Sequence, residues 1–422
     1  MGRVLTLDDV KVDGMTVLLR VDINCPLDPA TGAFLDISRI KGIIPTITRL
    51  AKAKTVILCH QSRPGKTDFT TTHGHSRELG RLLGRVVKYV EDIHGQAALA
   101  AIEKLADGEI LMLNNVRMDK EELSRKDDSF EQLIDSQMVT RLAGVADLFV
   151  NDAFACAHRN SPSITGFTHV LPCVAGQLMR KEVESLQNTS TNPQRPSIAV
   201  LGGIKIDDSI AVADNMLRKG SIDAVWATGG VANLFLEIAG YSPGPISMDF
   251  LANELQGQWQ STVKIARQLY ADFTDVIHLP VDVAANVEGN RVDLGIDELP
   301  VAAPILDLGV QSTINLSQAI RSAGTIILNG PAGVFEDQNF AFGTVEMLSA
   351  CAETEAFVIL GGGHTATLIA KRGLTKKMGH VSTGGGACLD FLAGKTLPAI
   401  ASLELSAQEF GVAILDDITT ED

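Results

Sequence analysis

The sequence predicts an α/β fold of two doubly wound, Rossmann-like parallel-sheet domains, and two observations lead to this prediction. Short apolar runs rich in Val, Ile and Leu recur along the chain, as expected for strands buried on both faces of a parallel sheet. Helical segments separate these runs, which is the alternation that βαβ units produce. The runs of the first half are TVLLR, TVILCHQSR, ILMLNNVR and DLFVNDAFACAHR, and those of the second half are SIAVLGG, AVWATGG, TIILNGPAG, FVILGGG and HVSTGGG.

Four segments between the strands have helical apolar spacing. Residues 38–50 form one such segment with a proline inside it, and residues 75–83 form a cleaner amphipathic helix. A third helix is predicted from about residue 129 to residue 142, and a fourth over residues 176–186. The polar, proline-rich stretch NTSTNPQRPS after the fourth helix is the best linker candidate in the chain.

A chain of 422 residues is too long for one typical core, so two domains are expected. We predict an N-terminal domain over residues 1–175, an interdomain helix and linker over 176–196, and a C-terminal domain over 197–397. The helix and linker would act as a hinge beside a cleft between the domains. The tail, residues 398–422, is left open between packing back on the first domain and fraying.

Bulk composition excludes several function classes. The formal net charge of −15 argues against nucleic acid and anionic membranes as main partners. The six cysteines form no C-x-x-C pair and lie in or beside apolar runs, which favours buried, reduced thiols and a cytoplasmic protein. No apolar run is long enough to span a membrane.

Cationic side chains follow the apolar runs of the first half. In parallel sheets, ligands bind beyond the carboxyl ends of the strands, so these side chains are expected to converge. Guanidinium groups stay charged and bind phosphate and carboxylate bidentately, and an acceptor carrying both groups would engage several of them. The candidates at this edge are Arg20, Asp22, Asn24, Arg39, His60, Arg63, Arg117, His158 and Arg159.

A structural interpretation of these arginines competes with the binding-site interpretation. A single arginine at a strand end is more often a surface ion pair than a binding group. Four successive apolar runs that end this way weaken that interpretation. His60 and His158 stay open between a structural and a functional role, because each adjoins a cationic cluster.

Glycines follow the apolar runs of the second half. Glycine lets backbone N–H groups approach a ligand closely, and a glycine run that opens a helix adds the helix N-terminus as an anion site. None of these segments matches the P-loop or the G-x-G-x-x-G pattern, which excludes a dinucleotide-dependent dehydrogenase. The candidates are Gly202, Gly203, Lys205, Gly229, Gly230, Asn329, Pro331, Glu336, Gly361, Gly362, Gly363, His364, Thr365, Gly384, Gly385 and Gly386.

The two halves together indicate phosphoryl transfer between a polyphosphate and a small anionic acceptor. At these residues the sequence resembles the phosphoglycerate kinase family. The segments that carry the resemblance are RVDINCPL, HQSRP, NDAFACAHR, LGGIK, LNGPAGVFE and VSTGGGACLDFL, and their order and spacing cover essentially the whole chain. The resemblance implies reversible transfer between ATP and 3-phosphoglycerate, giving ADP and 1,3-bisphosphoglycerate, with magnesium bound to the nucleotide.

The resemblance also implies roles for individual residues. Acceptor contacts fall on Asp22, Asn24, Arg39, His60, Arg63, Arg117 and Arg159. Arg39 matches the arginine that stabilises the transferring phosphoryl group, and Lys205 matches the nucleotide-phosphate lysine. Glu336 matches the ribose-binding glutamate, and residues 384–386 match the glycines that face the moving phosphate. Nucleotide and acceptor are thus the expected partners, with a monomer or homodimer as the assembly.

Three positions depart from the common bacterial and eukaryotic pattern. Ser209 stands where those relatives have a second lysine, His364 where they have an aspartate that meets the metal, and Ala155 where glycine is usual. Neutral imidazole is a poor ligand for magnesium, which prefers oxygen. The segments DDSI and GGGHT resemble the archaeal branch of the family. Magnesium ligation therefore stays open between Asp207 or Asp208 and the nucleotide phosphates alone.

One alternative of another class is a catalytically silent, nucleotide-binding relative that serves as an interaction protein. The missing lysine and aspartate are its only support. Arg39, Lys205 and the glycine triplet at 384–386 are all present, which favours the enzyme.

Overall fold

A computed structural model describes residues 2–419 of the chain. The side chains of residues 363, 364 and 412–419 lie outside the described set, so the predicted role of the His364 imidazole falls outside it too.

The structure alternates strands and helices throughout. The strands are β1 (Thr16–Val21), β2 (Lys54–Leu58), β3 (Lys88–Tyr89), β4 (Ile110–Met112), β5 (Leu148–Asp152), β6 (Cys173–Ala175), β7 (Ser197–Leu201), β8 (Ala224–Ala227), β9 (Ile277–His278), β10 (Asp282–Val287), β11 (Asn290–Gly295), β12 (Ile305–Leu308), β13 (Thr325–Asn329), β14 (Phe357–Gly361) and β15 (His380–Val381). The helices of the first 200 residues are α1 (Ser38–Gly42), α2 (Ile44–Arg49), α3 (His73–Leu83), α4 (Gln96–Glu103), α5 (Lys120–Ser124), α6 (Phe130–Leu133), α7 (Gln137–Ala143), α8 (Pro162–Thr165) and α9 (Gln177–Thr191). The later helices are α10 (Ile206–Arg218), α11 (Gly229–Ala239), α12 (Pro245–Leu255), α13 (Trp259–Phe273), α14 (Val310–Ser322), α15 (Phe342–Glu353), α16 (Gly363–Lys371), α17 (Gly385–Leu392) and α18 (Pro398–Thr419).

The first compact unit comprises Met1–Val183 and Thr396–Asp422. Its six-stranded sheet has the order β3-β4-β2-β1-β5-β6, and every neighbouring pair is parallel. Strands β2, β4 and β3 lie on one side of β1, and the chain then crosses to β5 and β6 on the other side. The point between β1 and β5 is therefore the topological switch point, where ligands of doubly wound sheets bind.

The second compact unit comprises Glu184–Lys395. Its six-stranded parallel sheet has the order β15-β14-β13-β7-β8-β9, with the switch point between β7 and β13. A small antiparallel sheet, β11-β10-β12, is an addition that the sequence did not predict. The predicted α/β class with two parallel sheets is confirmed.

Both sheets are covered on both faces. Leu18 and Leu19 are consecutive in β1, point to opposite faces and are fully buried. Ile326 and Ile327 in β13 show the same burial. Side chains alternate across a strand, so burial of neighbours requires cover on each side. This explains why the strands read as continuous apolar runs.

Two predicted helices are each broken in two. Residues 38–50 form α1 and α2, with the break at Ile43 and Pro45 in the first turn of α2, where proline is tolerated. The segment from residue 129 forms α6 and α7, and Ser136 caps α7 by accepting a hydrogen bond from the Val139 N–H. Local capping by serine competes with helix continuation, and apolar spacing does not register it.

The predicted linker begins with residues that remain helical, since α9 continues through Thr191. The hydroxyl groups of Thr189, Ser190 and Thr191 each donate to the carbonyl four residues earlier, at 2.8–2.9 Å. These bonds satisfy the polar side chains inside the helix. The division between the two compact units falls within α9, after Val183.

The tail helix α18 packs against β6 and α8 within the first unit. The Cys173 N–H donates to Ser406 Oγ at 2.9 Å, and His169 Nδ1 lies 2.8 Å from Glu409 Oε2. These contacts connect the end of the chain to the sheet that its beginning forms.

All six cysteines lie within the described residues, are buried and form no disulfide, which agrees with the expectation of reduced structural thiols. Among the described residues, the helices include none with the length and apolar character needed to cross a membrane.

Candidate functional site

The first site lies at the carboxyl edge of the first sheet, which we call the cationic edge and define by the nine candidates from Arg20 to Arg159. Arg20 in β1 is in register with Leu58 of β2 and with Asn151 of β5. The segments that follow β2 and β5 carry the histidines and arginines of the HQSRP and NDAFACAHR motifs. The structure therefore brings these motifs to the switch point of the sheet.

A chain of contacts connects α1 to the loop after β2. Arg39 on α1 forms an ion pair with Asp22, and its side chain remains 34 % exposed. Asp22 also accepts a hydrogen bond from the Asn24 N–H at 3.0 Å, and Asn24 Oδ1 accepts one from the Ser62 N–H at 2.8 Å. Asp22 thus orients Arg39, and Asn24 fixes the loop after β2, so that both would face an acceptor.

Ser62 has a left-handed backbone conformation, with φ of 55°. A serine in this region is strained, and strain of this kind concentrates at functional sites. The hydroxyl group of Ser62 donates to Asp68 Oδ1 at 2.5 Å, and its carbonyl accepts a hydrogen bond from Arg117. These contacts hold Arg63, the next residue, in an exposed position.

Arg159 lies near enough to the other guanidinium groups of the cationic edge to be affected by their charges. Burial lowers the pKa of Arg159, Asp22 opposes that effect, and the charges of Arg20, Arg63 and Arg39 lower the pKa further. Mutual repulsion among cations disfavours the charged form unless an anion lies between them. The edge is therefore suited to a ligand with more than one negative charge.

Arg20 occupies an enclosed position, with 2 % exposure. Its guanidinium donates to Ser163 Oγ at 2.9 Å and to the Val21 carbonyl, and its Nη2 lies 3.3 Å from His60 Nδ1. Burial and the charge of Arg20 hold the pKa of His60 well below its usual value. His60 is therefore neutral at physiological pH.

His158 is half-buried, and its Nε2 lies 3.4 Å from the Arg159 Nε. Asp22, His60 and Cys156 form the one group of potential metal ligands that converges among the described residues. Asp22 is ion-paired with Arg39, however, and burial raises the pKa of the Cys156 thiol to about 12. Metal binding needs a thiolate, so a protonated thiol among arginines does not fit a cation.

The second site lies at the carboxyl edge of the second sheet, which we call the glycine edge and define by the candidates from Gly202 to Gly386. The Gly202 N–H donates to the Asn329 carbonyl at 2.8 Å, and the Gly203 N–H donates to the Pro331 carbonyl at 2.9 Å. The loops after β7 and β13 are thus hydrogen-bonded at the switch point. A Cβ on Gly330, whose φ is +80°, would overlap the Gly202 carbonyl. The backbones approach so closely that side chains are excluded.

Helix N-termini complete this edge. Helix α11 begins at Gly229, α16 at Gly363 and α17 at Gly385, each directly after a strand or its turn. The Gly230 N–H donates back to the Gly203 carbonyl at 3.1 Å, which ties α11 to the first glycine pair. The Gly229 N–H likewise donates to the Ala332 carbonyl at 3.1 Å, so the first two N–H groups of α11 are bonded within the protein. The helix dipole at such termini still attracts phosphate.

Lys205 and two acidic residues stand at the start of α10. Lys205 is exposed, while Asp207 and Asp208 are half-buried in the first turn of the helix. Burial, followed by the charge of Asp207, raises the pKa of Asp208. Lys395 is hydrogen-bonded to Asp390 at 2.6 Å, and the charges of Asp208 and Asp207 help to raise its pKa. This region therefore offers both carboxylate oxygens and ammonium groups.

Ser209, which stands where many relatives have lysine, is buried in a structural contact. Its Oγ accepts a hydrogen bond from Asn329 Nδ2 at 3.0 Å. Thr365 is also buried, with 1 % exposure, so its side chain lies in the core of the edge. Pro331 is partly exposed and Glu336 is exposed on the loop that follows β13.

A buried ion pair supports the Glu336 loop. Arg291 lies 2.9 Å from Asp307 Oδ2, and Asp307 also accepts a hydrogen bond from the Gly343 N–H at 2.9 Å. Arg291 donates to the Asn339 carbonyl at 3.0 Å, at the end of the loop. A Cβ on Gly333 would overlap Asp307 Oδ1. This pair fixes the path of the loop, and sequence reasoning missed it because both residues resemble ordinary surface charges.

Sequence reasoning also missed two buried carboxylates in the first unit. Glu122 is 5 % exposed and Asp152 is 1 % exposed. Asp152 accepts hydrogen bonds from the Leu178 and Met179 N–H groups, at 2.9 and 3.0 Å, and so caps α9. The position of Asp152 within the NDAF motif could have indicated its role. Glu122 lies in the segment KEEL, whose composition is that of a solvated helix face.

Comparison with known proteins assigns the family. The family model described as phosphoglycerate kinase matches residues 7–395. The phosphoglycerate kinase of Methanothermobacter thermautotrophicus is 45 % identical over 403 residues, covering 95 % of this chain and 97 % of the relative. That of Methanothermus fervidus is 43 % identical over 406 residues, covering 96 % and 98 %.

Solved structures agree with the sequence matches. The crystal structure of phosphoglycerate kinase from Pyrococcus horikoshii OT3 is similar with a TM-score of 0.87 and 38 % identity, covering 96 % of this chain and all of that one. The structure of phosphoglycerate kinase from Coxiella burnetii gives 0.78 and 32 % identity, with 95 % and 99 % covered. The chain belongs to the phosphoglycerate kinase family.

Proposed function

We propose that this enzyme of the phosphoglycerate kinase family binds its two substrates at the two sheet edges. The reaction is reversible transfer of a phosphoryl group between ATP and the carboxylate of 3-phosphoglycerate. The cationic edge takes the phosphorylated acceptor and the glycine edge takes the nucleotide. The observation that carries this assignment is the contact network that brings the arginine-bearing segments to the first switch point, through the Arg39–Asp22 ion pair and the hydrogen bonds of Ser62 with Asn24 and Arg117.

The acceptor needs no general base. Its attacking group is a carboxylate, which is already ionised at neutral pH. The barrier comes from bringing two anions in line, so catalysis relies on positioning and on electrostatic stabilisation. Arg63, Arg117 and Arg159 would hold the acceptor phosphate, and Asp22 and Asn24 would bind its hydroxyl group.

Arg39 and Lys205 would stabilise the phosphoryl group during transfer. Arg39 is partly exposed and held by Asp22, so its guanidinium is oriented yet reachable. Lys205 is exposed directly after the first glycine pair and carries a compact charge that suits phosphate. The N-terminus of α17, at residues 384–386, would add backbone N–H donors.

The nucleotide would be held by backbone and by one loop. The glycine pairs at 202–203 and 229–230 let the loops at this edge pack closely, because their four N–H groups donate to neighbouring carbonyls, and with Asn329 and Pro331 they would form the surface against which the nucleotide lies. Glu336 would accept hydrogen bonds from the ribose hydroxyl groups. Residues 361–365 complete the edge through the N-terminus of α16.

Magnesium fits this edge as the companion of the nucleotide. Asp207 and Asp208 supply the oxygen ligands that magnesium prefers, and when bound it would neutralise phosphate charge. Neither carboxylate belongs to a tight set of three ligands among the described residues. The phosphates would therefore supply most of the coordination, as is usual for magnesium. We place the enzyme in the cytoplasm, as a monomer or homodimer.

A coupled assay with ATP, magnesium and 3-phosphoglycerate tests this function. We expect ADP formation that requires all three components and the purified, folded protein. Omission of 3-phosphoglycerate is the control, since it reports any background ATPase activity. A folded protein that binds ATP without turnover would support the silent relative instead.

A structure with bound Mg·ADP would test the nucleotide assignment directly. We expect the phosphates at the N-termini of α11 and α16 and the ribose at Glu336. Electron density for the nucleotide elsewhere in the second unit would refute this placement.

A further inference from the structure

Glu122 lies behind the cationic edge, and the reaction as described does not use it. Its carboxylate is buried and accepts three hydrogen bonds. Ser161 Oγ donates to Glu122 Oε1 at 2.8 Å, and Ser163 donates through Oγ at 2.6 Å and through its N–H at 2.9 Å. Burial raises the pKa of Glu122, and the charge of Arg20 opposes that effect. A carboxylate in this setting is stabilised by these donors and by a nearby cation.

Ser163 connects this carboxylate to Arg20. The Ser163 hydroxyl donates to Glu122 and accepts from Arg20 Nε at 2.9 Å. Its hydrogen therefore points to Glu122, and a lone pair of its oxygen points to Arg20. The Ser163 hydroxyl thus bridges the Arg20 guanidinium and the Glu122 carboxylate. The orientation of the guanidinium therefore depends on Ser163, which holds Nε, together with the Val21 carbonyl, which accepts from Nη1.

Arg20 in turn determines the tautomer of His60. Arginine carries only donors, and its Nη2 lies 3.3 Å from His60 Nδ1. The contact is favourable only if Nδ1 carries no hydrogen, which leaves the proton on Nε2. The neutral state of His60 agrees with its burial beside Arg20. His60 is thus a fixed Nε2–H donor.

We propose that Glu122 and Ser163 are positioning residues for the acceptor site, because they orient Arg20 and through it hold His60 as an Nε2–H donor. A donor with a fixed direction suits the oxygens of an anionic acceptor, and a pre-oriented site avoids reorganisation when the ligand arrives. Arg20 accordingly acts behind the site. The inference rests on the proposed function only where it names 3-phosphoglycerate as the ligand.

Ser161 and Ser163 provide a matched pair of variants. Ser161→Ala and Ser163→Ala each remove a hydroxyl donor from the same carboxylate, but only Ser163→Ala breaks the connection to Arg20. We expect Ser163→Ala to raise the KM for 3-phosphoglycerate about tenfold, with the KM for ATP unchanged, as for the loss of one hydrogen bond to a charged group. Ser161→Ala should stay within about twofold of the wild type. Equal changes in both variants would overturn the proposal.

The tautomer can be read directly by nitrogen NMR of histidine-labelled protein without ligand. We expect one histidine with an unprotonated Nδ1 and a protonated Nε2 whose signals vanish in His60→Gln. Ser163→Ala should mix its tautomers, whereas Ser161→Ala should not. A protonated Nδ1 of His60 in the wild type would overturn the proposal, even if Ser163→Ala failed to fold. This readout needs no turnover, so it separates failure of the positioning network from failure of the proposed function.

Discussion

The cationic edge and the glycine edge occupy the same place in two sheets of the same class, but the first is formed by charged side chains and the second mainly by backbone. Each lies at the switch point of a doubly wound sheet. The cationic edge consists of charged side chains, and behind them lies a second layer that includes Glu122, Ser163 and Gln61. The glycine edge consists of backbone, with loops close enough to exclude a Cβ. The side-chain site therefore depends on polar support in the core, whereas the backbone site depends on glycines that let its loops pack closely.

The two designs carry different costs. A buried charge is unfavourable unless hydrogen bonds and opposite charge compensate it, and Arg20 depends on Ser163 and on the Val21 carbonyl for this. Glycine instead loses more conformational entropy on folding than other residues. Substitutions at the cationic edge should therefore change kcat and the pH dependence of stability. Substitutions at the glycine edge should change the affinity for the nucleotide through steric overlap.

The largest expected effect tests whether the reacting charge lies on the cationic edge. Arg39→Ala should lower kcat about 100- to 1,000-fold, because it removes a charge aimed at the transferring group. Equilibrium binding of ATP, measured by calorimetry, should change less than about twofold. Arg49→Ala on the next helix is the control, since Arg49 contacts Asp8 and the Leu7 carbonyl on the surface.

Weaker ATP binding in Arg39→Ala would contradict the division between the edges. It would mean that the nucleotide depends on the first unit, and that α1 is wrongly assigned to the acceptor.

The glycine edge should fail through steric overlap. An alanine at Gly202 would overlap Thr228 Oγ1 and approach the Pro331 carbonyl to 2.5 Å, although the backbone there does not require a positive φ. We expect Gly202→Ala to raise the KM for ATP at least about tenfold, with the KM for 3-phosphoglycerate unchanged. Gly257→Ala is the control, because nothing lies within 4 Å of a Cβ there. Similar kinetics for the two variants would show that close approach at Gly202 is unnecessary.

The sequence predicted the surface of each edge better than its support. The alternation of buried strands, the positions of the arginines and the glycine runs are local features. They predicted the class of the sheets, which is confirmed, and the placement of ligands at the carboxyl edges stays a prediction. Glu122 and Asp307 are different, because burial of a carboxylate depends on which distant elements pack around it. The Lys-Glu-Glu-Leu segment that contains Glu122 has the composition of an exposed helix, so the sequence does not reveal that Glu122 is buried.

Helix ends show the same limitation. Apolar spacing predicted one helix over residues 38–50, yet the chain breaks at Ile43 before the proline-containing turn. The break matters because it separates Arg39 on α1 from Thr46 on α2, whose hydroxyl donates to Asp152 at 2.6 Å. Periodicity reports which face is buried, and capping and proline decide where a helix ends.

The smallest expected effect tests the support of the cationic edge through pH. Gln61 exchanges hydrogen bonds with the backbone of Cys25, and its Oε1 lies 2.9 Å from His75 Nε2, which must donate. Burial lowers the pKa of His75 from 6.5 to about 4. Between these values the unfolded chain binds more protons than the folded one, so stability falls as the pH falls through this window.

His75→Gln retains a donor for Gln61 and removes the titration. Urea denaturation followed by circular dichroism at about pH 7.5 and about pH 5 should show a wild-type loss that is larger by about 2 kcal/mol than that of the variant. His60, which is also buried and neutral, contributes to the loss in both proteins and cancels. His73→Gln, an exposed position on the same helix, should keep the wild-type loss. An unchanged pH dependence in His75→Gln would mean that His75 can be protonated in the folded protein. The layer behind the cationic edge would then tolerate a charged imidazole despite its burial.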